Sequence, residues 1–260
     1  MENFECKSCS AEPTGRINLA RFLDRLDACF ARGDLAAAGE CLAFWENEAR
    51  GYNDSCGLLS VLNEEIGYYR RTGEREKGLG AVSEALQLLQ FKGLTDHISG
   101  ATIFINAATT LKAFGKAEEG LPLYDTAAEI YKECGKTDSY EYAALLNNKA
   151  AALCELRRFD EGQAAYEQAI AILEKEGKHD GEIAVSLVNL AHLYYDRDDT
   201  AFADVEALLD RAWEMINSPR QPHDANYAFI LEKCAPSFRY FKREIEAEAL
   251  EEVSKEIYGK

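Results

Sequence analysis

Gly73-Glu74-Arg75-Glu76-Lys77-Gly78, Gly115-Lys116-Ala117-Glu118-Glu119-Gly120 and Arg157-Arg158-Phe159-Asp160-Glu161-Gly162 are three copies of one pattern, each 42 residues after the last. The register extends both ways. Upstream, Ile66, Ala108 and Ala150 align, with Tyr69, Leu111 and Leu153 three residues later; downstream, Val82, Tyr124 and Tyr166 align, then Ala85, Ala127 and Ala169. Small and large apolar residues at fixed offsets, in a period of this length, mark a chain of stacked supersecondary units.

Within each unit the apolar positions recur three and four residues apart, and a Gly or a polar pair interrupts them midway, which predicts two helices joined by a short turn. Short turns make the helices antiparallel, and one hairpin cannot bury both its apolar faces, so units must stack. An earlier unit fits the template with Phe22, Leu26, Cys29, Gly33, Ala38, Leu42 and Trp45. A fifth, over residues 182–218, places Ala191 and Tyr194 in one helix and Leu208, Ala212 and Met215 in the next, and needs two extra residues near Arg197-Asp198-Asp199. Gly78, Gly120 and Gly162 fall just inside the second helix, where Gly costs about 1 kcal/mol against Ala, so they predict close approach of the hairpin backbones. In the polar linkers, Asp138 and Asp180 are predicted helix N-caps.

The 47% hydrophobic and 29% charged residues of this 260-residue chain are those of a folded protein, and Ala, Leu, Glu and Lys favour helix. No stretch approaches the roughly 18 to 20 apolar residues of a membrane span, and Met1-Glu2-Asn3-Phe4-Glu5 lacks the order of a secretory signal, so a cytoplasmic, non-membrane protein is expected. A formal charge of −17 disfavours nucleic acid as a ligand, because that affinity comes largely from clustered Lys and Arg. Cys29, Cys41, Cys154 and Cys234 lie in apolar helical patterns and read as reduced core thiols.

The pattern of small, large, Gly, Ala and aromatic positions over residues 19–218 resembles the tetratricopeptide repeat family. The 42-residue step, Glu119-Gly120-Leu121-Pro122-Leu123-Tyr124 and Leu146-Asn147-Asn148 are similar to its kinesin-light-chain-like subgroup. Arg157 departs from the pattern, standing where the mid-hairpin Gly is usual. The resemblance implies an all-α, right-handed superhelical solenoid of about five hairpins, with a concave groove that holds a peptide or partner protein. Residues 1–16 then read as a flexible tail, 17–218 as the repeat domain and 219–260 as C-terminal capping helices. In that last segment a helix is predicted from Asp224 to Cys234, and Pro236 starts another. Its positions Phe238, Phe241, Ile245, Ala249, Val253 and Ile257 form one stripe that covers the open end or docks a second copy of the chain.

The first helices of the hairpins would line the groove. Two residues before Ala108, Ala150 and Ala191 stand Asn106, Asn148 and Asn189. An Asn amide both donates and accepts, so such a ladder suits the main chain of an extended peptide; bonding to a neighbouring helix is the alternative. The same count adds Thr109 and Lys112, Asn147, and His192 and Tyr195, with Arg70 and Arg71 nearby as cations for a carboxylate.

No phosphate loop, dinucleotide fingerprint, GxSxG or HExxH occurs, and His97, His179, His192 and His223 are scattered, so neither an enzyme nor a cofactor or metal site is expected. His192 with Tyr195 and Asp196 is the one local catalytic candidate. Cys6-Lys7-Ser8-Cys9 is half a zinc motif with no second half. The leading expectation is a non-enzymatic protein-protein interaction scaffold. The second is a bacterial signalling-peptide sensor whose output passes through another protein.

Overall fold

A computed structural model describes residues 13–259, which form twelve α-helices and no strand. These are α1 (Leu19–Ala31), α2 (Leu35–Gly51), α3 (Ser55–Thr72), α4 (Arg75–Phe91), α5 (Ile98–Ala113), α6 (Ala117–Glu133), α7 (Tyr140–Glu155), α8 (Phe159–Glu176), α9 (Asp180–Arg197), α10 (Phe202–Ile216), α11 (Ala225–Tyr240) and α12 (Glu244–Tyr258). They pair in order as hairpins, the all-α repeat-solenoid class that the 42-residue register predicts. Cys6 and Cys9 lie outside the described residues.

The helix ends follow local chemistry. Asn18, Asp34, Asp54, Ser139 and Asp224 each accept a backbone N–H of the first turn, satisfying donors that have no partner within the helix. Inside the hairpins, Gly33, Gly73, Gly115, Arg157 and Lys242 turn the chain with φ between 57° and 75°. A residue with a Cβ adopts this left-handed conformation at a cost of roughly 1–2 kcal/mol. Arg157 offsets part of that cost by setting its guanidinium 5.1 Å from the Phe159 ring centroid. The fifth hairpin turns differently, since Asp198 is extended and accepts from the backbone N (2.9 Å) and hydroxyl (2.7 Å) of Thr200. This side-chain turn accounts for the two extra residues in that unit.

Three local expectations are corrected. Asp138 pairs with Lys175 at 2.8 Å while Ser139 caps α7. Asp180 lies within the first turn of α9, 3% exposed, and binds Arg220 Nη2 at 2.7 Å and Nε at 3.0 Å. Pro236 does not start a helix; α11 runs through it and the chain breaks at Lys242. A helix-interior proline costs about 3 kcal/mol, and here the burial of Cys234, Ala235 and Phe238 around it holds the helix together. The turn also divides the anticipated stripe. Phe238 is buried, Ala249, Val253 and Ile257 are half-exposed and Ile245 is 81% exposed, whereas Ala247, Leu250 and Ser254 form the buried face of α12.

The helices divide into two compact units, the first ending at Cys134 and the second beginning at Gly135. In the first, α3 packs on α2, α4 and α5, and α5 on α6; in the second, α9 packs on α7, α8, α10 and α11, and α11 on α12. The repeat's small positions sit at these seams, where Ala108, Ala150 and Ala191 are wholly buried. Gly120 meets the expectation of close approach, since a Cβ there would lie 2.9 Å from the Ala108 carbonyl oxygen and 3.3 Å from its Cα. At Gly162 the nearest atoms are the Cys154 sulfur (3.0 Å) and a Leu193 methyl (3.3 Å), with the Ala150 carbonyl oxygen in ordinary contact at 3.4 Å, and at Gly78 the Phe114 ring (2.7 Å). Gly78 therefore makes room for a ring, not for a backbone.

One polar group is set deep in the first unit. Glu65 of α3 is 4% exposed, and its Oε1 has no hydrogen-bond partner. Arg50 of α2 is engaged elsewhere, holding Glu84 of α4 at 2.7 and 2.8 Å and Glu46 at 2.7 and 2.9 Å. Burial first, then the Glu46 charge, pushes the Glu65 carboxyl up to about 7, with Arg50 opposing and Glu84 adding to the rise.

Two measurements check these packing arguments. Gly120→Ala should lower the unfolding free energy in urea by about 1–3 kcal/mol through overpacking against an immovable backbone, while Gly162→Ala, facing side-chain ends, should stay within about 1 kcal/mol of the parent. The folded chain holds the Glu65 proton more tightly than the unfolded one, so its stabilisation is full below about pH 4.5 and is lost as pH rises through about 7. Glu65→Gln should match the parent near pH 5 and exceed it by on the order of 2 kcal/mol at pH 8, read as the difference between their unfolding curves.

Candidate functional site

Within each unit the first helices of the hairpins present one side chain per turn on a common face, here termed the first-helix face of that unit. In the first unit this face comes from α3 and α5, and its polar groups largely satisfy one another. Asn106 Nδ2 donates to Asn63 Oδ1 at 2.9 Å, and Asn63 Nδ2 donates to Glu64 Oε1 at 3.1 Å. Burial raises the Glu64 carboxyl above its usual range, against the pull of the Asn63 bond. Thr109 turns inward, its hydroxyl 2.7 Å from the Ile105 carbonyl oxygen and 2.8 Å from the Tyr124 hydroxyl.

Arg70, half-buried, donates from Nη1 to the Thr110 hydroxyl at 3.2 Å, and burial holds its guanidinium below the usual range. Arg71 is exposed and lies 5.6 Å from the Phe30 ring centroid, and Lys112 is half-buried. The structure thus does not gather these three cations around one point through any shared partner.

In the second unit the face is built by α7, α9 and α11. Asn148 and Asn189 are half-exposed, and their amides make no hydrogen bond to any other described residue. Asn147, one residue away, has its Oδ1 buried without a partner. His192 is enclosed by the next helix. Its Nε2 lies 3.0 Å from the Ser237 hydroxyl, and its ring centroid is 4.8 Å from that of Phe241 and 5.1 Å from that of Tyr240. Burial lowers the affinity of this imidazole for a proton, against the opposing charge of Asp196. Tyr195 meets Tyr240 and Phe241 edge-on, each at 5.8 Å. These four rings close one end of the face.

Two residues of the face escape sequence reasoning. The buried residues Ile183, Ala184, Ser186, Leu187, Leu190 and Ala191 of α9 correspond in spacing to Tyr227, Ala228, Ile230, Leu231, Cys234 and Ala235 of α11. In that register Lys233 stands where Asn189 does, and Phe229 where Val185 does. Both are exposed, with the Lys233 ammonium 4.4 Å from the Phe229 ring centroid. Their signal was the burial pattern of α11, which the 42-residue register does not reach and Pro236 obscures.

Among the described residues no group of three or more His, Cys, Asp or Glu could hold a metal ion, no disulfide joins the cysteines, and no helix is long and apolar enough to cross a membrane.

Residues 141–205, spanning α7 to the start of α10, match the tetratricopeptide repeat family. None of the curated proteins compared with the chain matches it. Solved structures with the same fold include BtubC (BKLC) from P. vanneervenii, 19% identical with a TM-score of 0.55, covering 88% of this chain and 91% of that one. Nearly identical TPR-like repeats of a kinesin light chain candidate from Podosopora anserina reach 0.57 at 17% identity, covering 76% and 93%. A Rap protein complexed with Competence and Sporulation Factor reaches 0.54 at 16% identity, covering 92% and 75%. At these identities the likeness is one of fold.

Proposed function

We propose that this chain, whose hairpins are of the tetratricopeptide type, is a non-enzymatic scaffold that holds an extended segment of a partner protein on the first-helix face of its second unit. The observation that carries the reading is the contrast between Asn106, bonded to Asn63, and Asn148 and Asn189, whose half-exposed amides have no partner among the described residues. Helices packed side by side are about 8–10 Å apart, and an extended chain rises about 3.3 Å per residue. Asn148 on α7 and Asn189 on α9 would then read the peptide main chain about three residues apart. Val185 and Phe229 add apolar surface, and Lys233 a cation, from which side-chain selectivity would come. His192 and Tyr195 border the seat instead of forming its middle.

Arg70, Arg71 and Lys112 are assigned to a separate, weaker role on the first unit, as attraction for an acidic stretch of partner. The −17 charge argues against nucleic acid, and described cysteines that form no disulfide with one another suit a cytoplasmic setting. A second reading, a sensor of a signalling peptide that acts through another protein, draws support from the fold shared with the Rap protein in its complex. Both readings use the same seat.

Peptides selected from a random library against the intact chain provide the test. The Asn148→Ala, Asn189→Ala pair should weaken the best binder roughly tenfold or more, from two lost bonds of about 1 kcal/mol each, with the melting temperature unchanged. Asn106→Ala should do the reverse, lowering stability and sparing affinity. Binding that ignores Asn148 and Asn189 would remove the proposal.

A further inference from the structure

The outward side of α12 carries two parallel rows. Ile245, Ala249, Val253 and Ile257 recur every four residues, Ile245 being 81% exposed and the others half-exposed. Beside them run Glu248, Glu252 and Glu256, each three residues after a member of the apolar row and each exposed. Residues three and four apart are neighbours on a helix surface, so the two rows form one continuous strip. The buried face of α12, Ala247, Leu250 and Ser254, is spent on α11, where the Ser254 hydroxyl donates to the Ala228 carbonyl oxygen.

The glutamates of the strip differ from the other acids of the same helix. Arg239 holds Glu244 and Glu251, and Arg243 lies 3.7 Å from Glu246 while also binding Glu206 and Asp210 of α10. The carboxylates of Glu248, Glu252 and Glu256 make no ion pair or hydrogen bond with any described residue. Like charges four apart destabilise a helix by a few tenths of a kcal/mol per pair, and this row places three in succession, with Lys255 the one cation beside them, next to exposed Ile245 and half-exposed Val253 and Ile257. An arrangement that costs the free helix on both counts is complementary to a surface with apolar residues and cations in matching rows.

We propose that this strip docks an amphipathic helix of a partner protein, with Lys or Arg flanking its apolar face. At 1.5 Å per residue the strip from Ile245 to Ile257 is about 18 Å long, so the partner helix needs at least about twelve residues, with cations every third or fourth position to face the three glutamates. A second copy of α12 is a poor occupant, because it would bring two unneutralised glutamate rows together. The strip is distinct from the first-helix face and independent of the function proposed for it.

The probe is a synthetic 15-residue helical peptide with Leu every three or four residues and Lys along one flank, compared with its Glu-flanked counterpart. Titration calorimetry at low and at physiological salt should show one peptide bound per chain for the Lys form and none for the Glu form. The triple variant Glu248→Gln, Glu252→Gln, Glu256→Gln should lose about tenfold in affinity together with most of the salt dependence, and Ile245→Asp at least as much. Neither change removes a buried group, and Asn148→Ala with Asn189→Ala should leave this peptide's binding untouched. Equal binding to the parent and both α12 variants, no binding of the Lys peptide, or sedimentation of the parent as a dimer that Ile245→Asp converts to monomer would each overturn the proposal.

Discussion

A helical hairpin has two apolar faces and, within itself, only enough surface to cover one. Every other feature of this protein follows from how the second face is covered. Ala108, Ala150 and Ala191 are small because a neighbouring helix must come close at those points, and Tyr124 is large because the gap beside a close approach has to be filled. The contact of Gly120 with the Ala108 backbone is the tightest form of the same requirement. Packing of this kind ranks the helices by burial, and the first helix of each hairpin, flanked on both sides in α3 and α9, is left with a single free strip.

What happens on that strip depends on whether its polar groups find each other. In the first unit Asn106, Asn63 and Glu64 form a closed chain, and Thr109 bonds inward. In the second unit Asn148 and Asn189 occupy the same repeat position, and their amides bond to no other described residue. One residue type at one register therefore serves two purposes, and the partner one helix away decides which. Aromatic rings do the equivalent at the far end, where Tyr240 and Phe241, with the Ser237 hydroxyl, enclose His192 and lower its affinity for a proton.

The hairpins from α3 to α8 were legible because three copies of a hexapeptide share a step, and burial at that step is a property of repeat geometry more than of any residue. The first-helix face was legible for the same reason. What the repeat does not carry was not: Asp138 yields its capping role to Ser139 because Lys175, far along the chain, claims the carboxylate, and Asp180 is drawn inward by Arg220. The proline at 236 reads as a boundary by local preference, yet tertiary burial on the opposite side of α11 overrides a cost of about 3 kcal/mol. That one misplaced boundary cut α11 short and hid the register that places Lys233 and Phe229. Glu65 sits in an apolar pattern as one more surface-type residue, and only the arrangement of Arg50 between Glu46 and Glu84 shows that its carboxyl is buried without a cation of its own.

The reach of the side-chain bonds bears on how the chain acquires its structure. Those between hairpins are short in sequence: Asn106 to Asn63 spans 43 residues, and His192 to Ser237 spans 45. Low contact order of this sort lowers the loop-closure entropy paid before native contacts form, and it speeds folding. Synthesis proceeds at about 5–20 residues per second, so the partner for each hairpin leaves the ribosome within several seconds of the hairpin itself. Ordering can thus keep pace with translation, and an apolar second face waits in water only for the time it takes to make one more repeat.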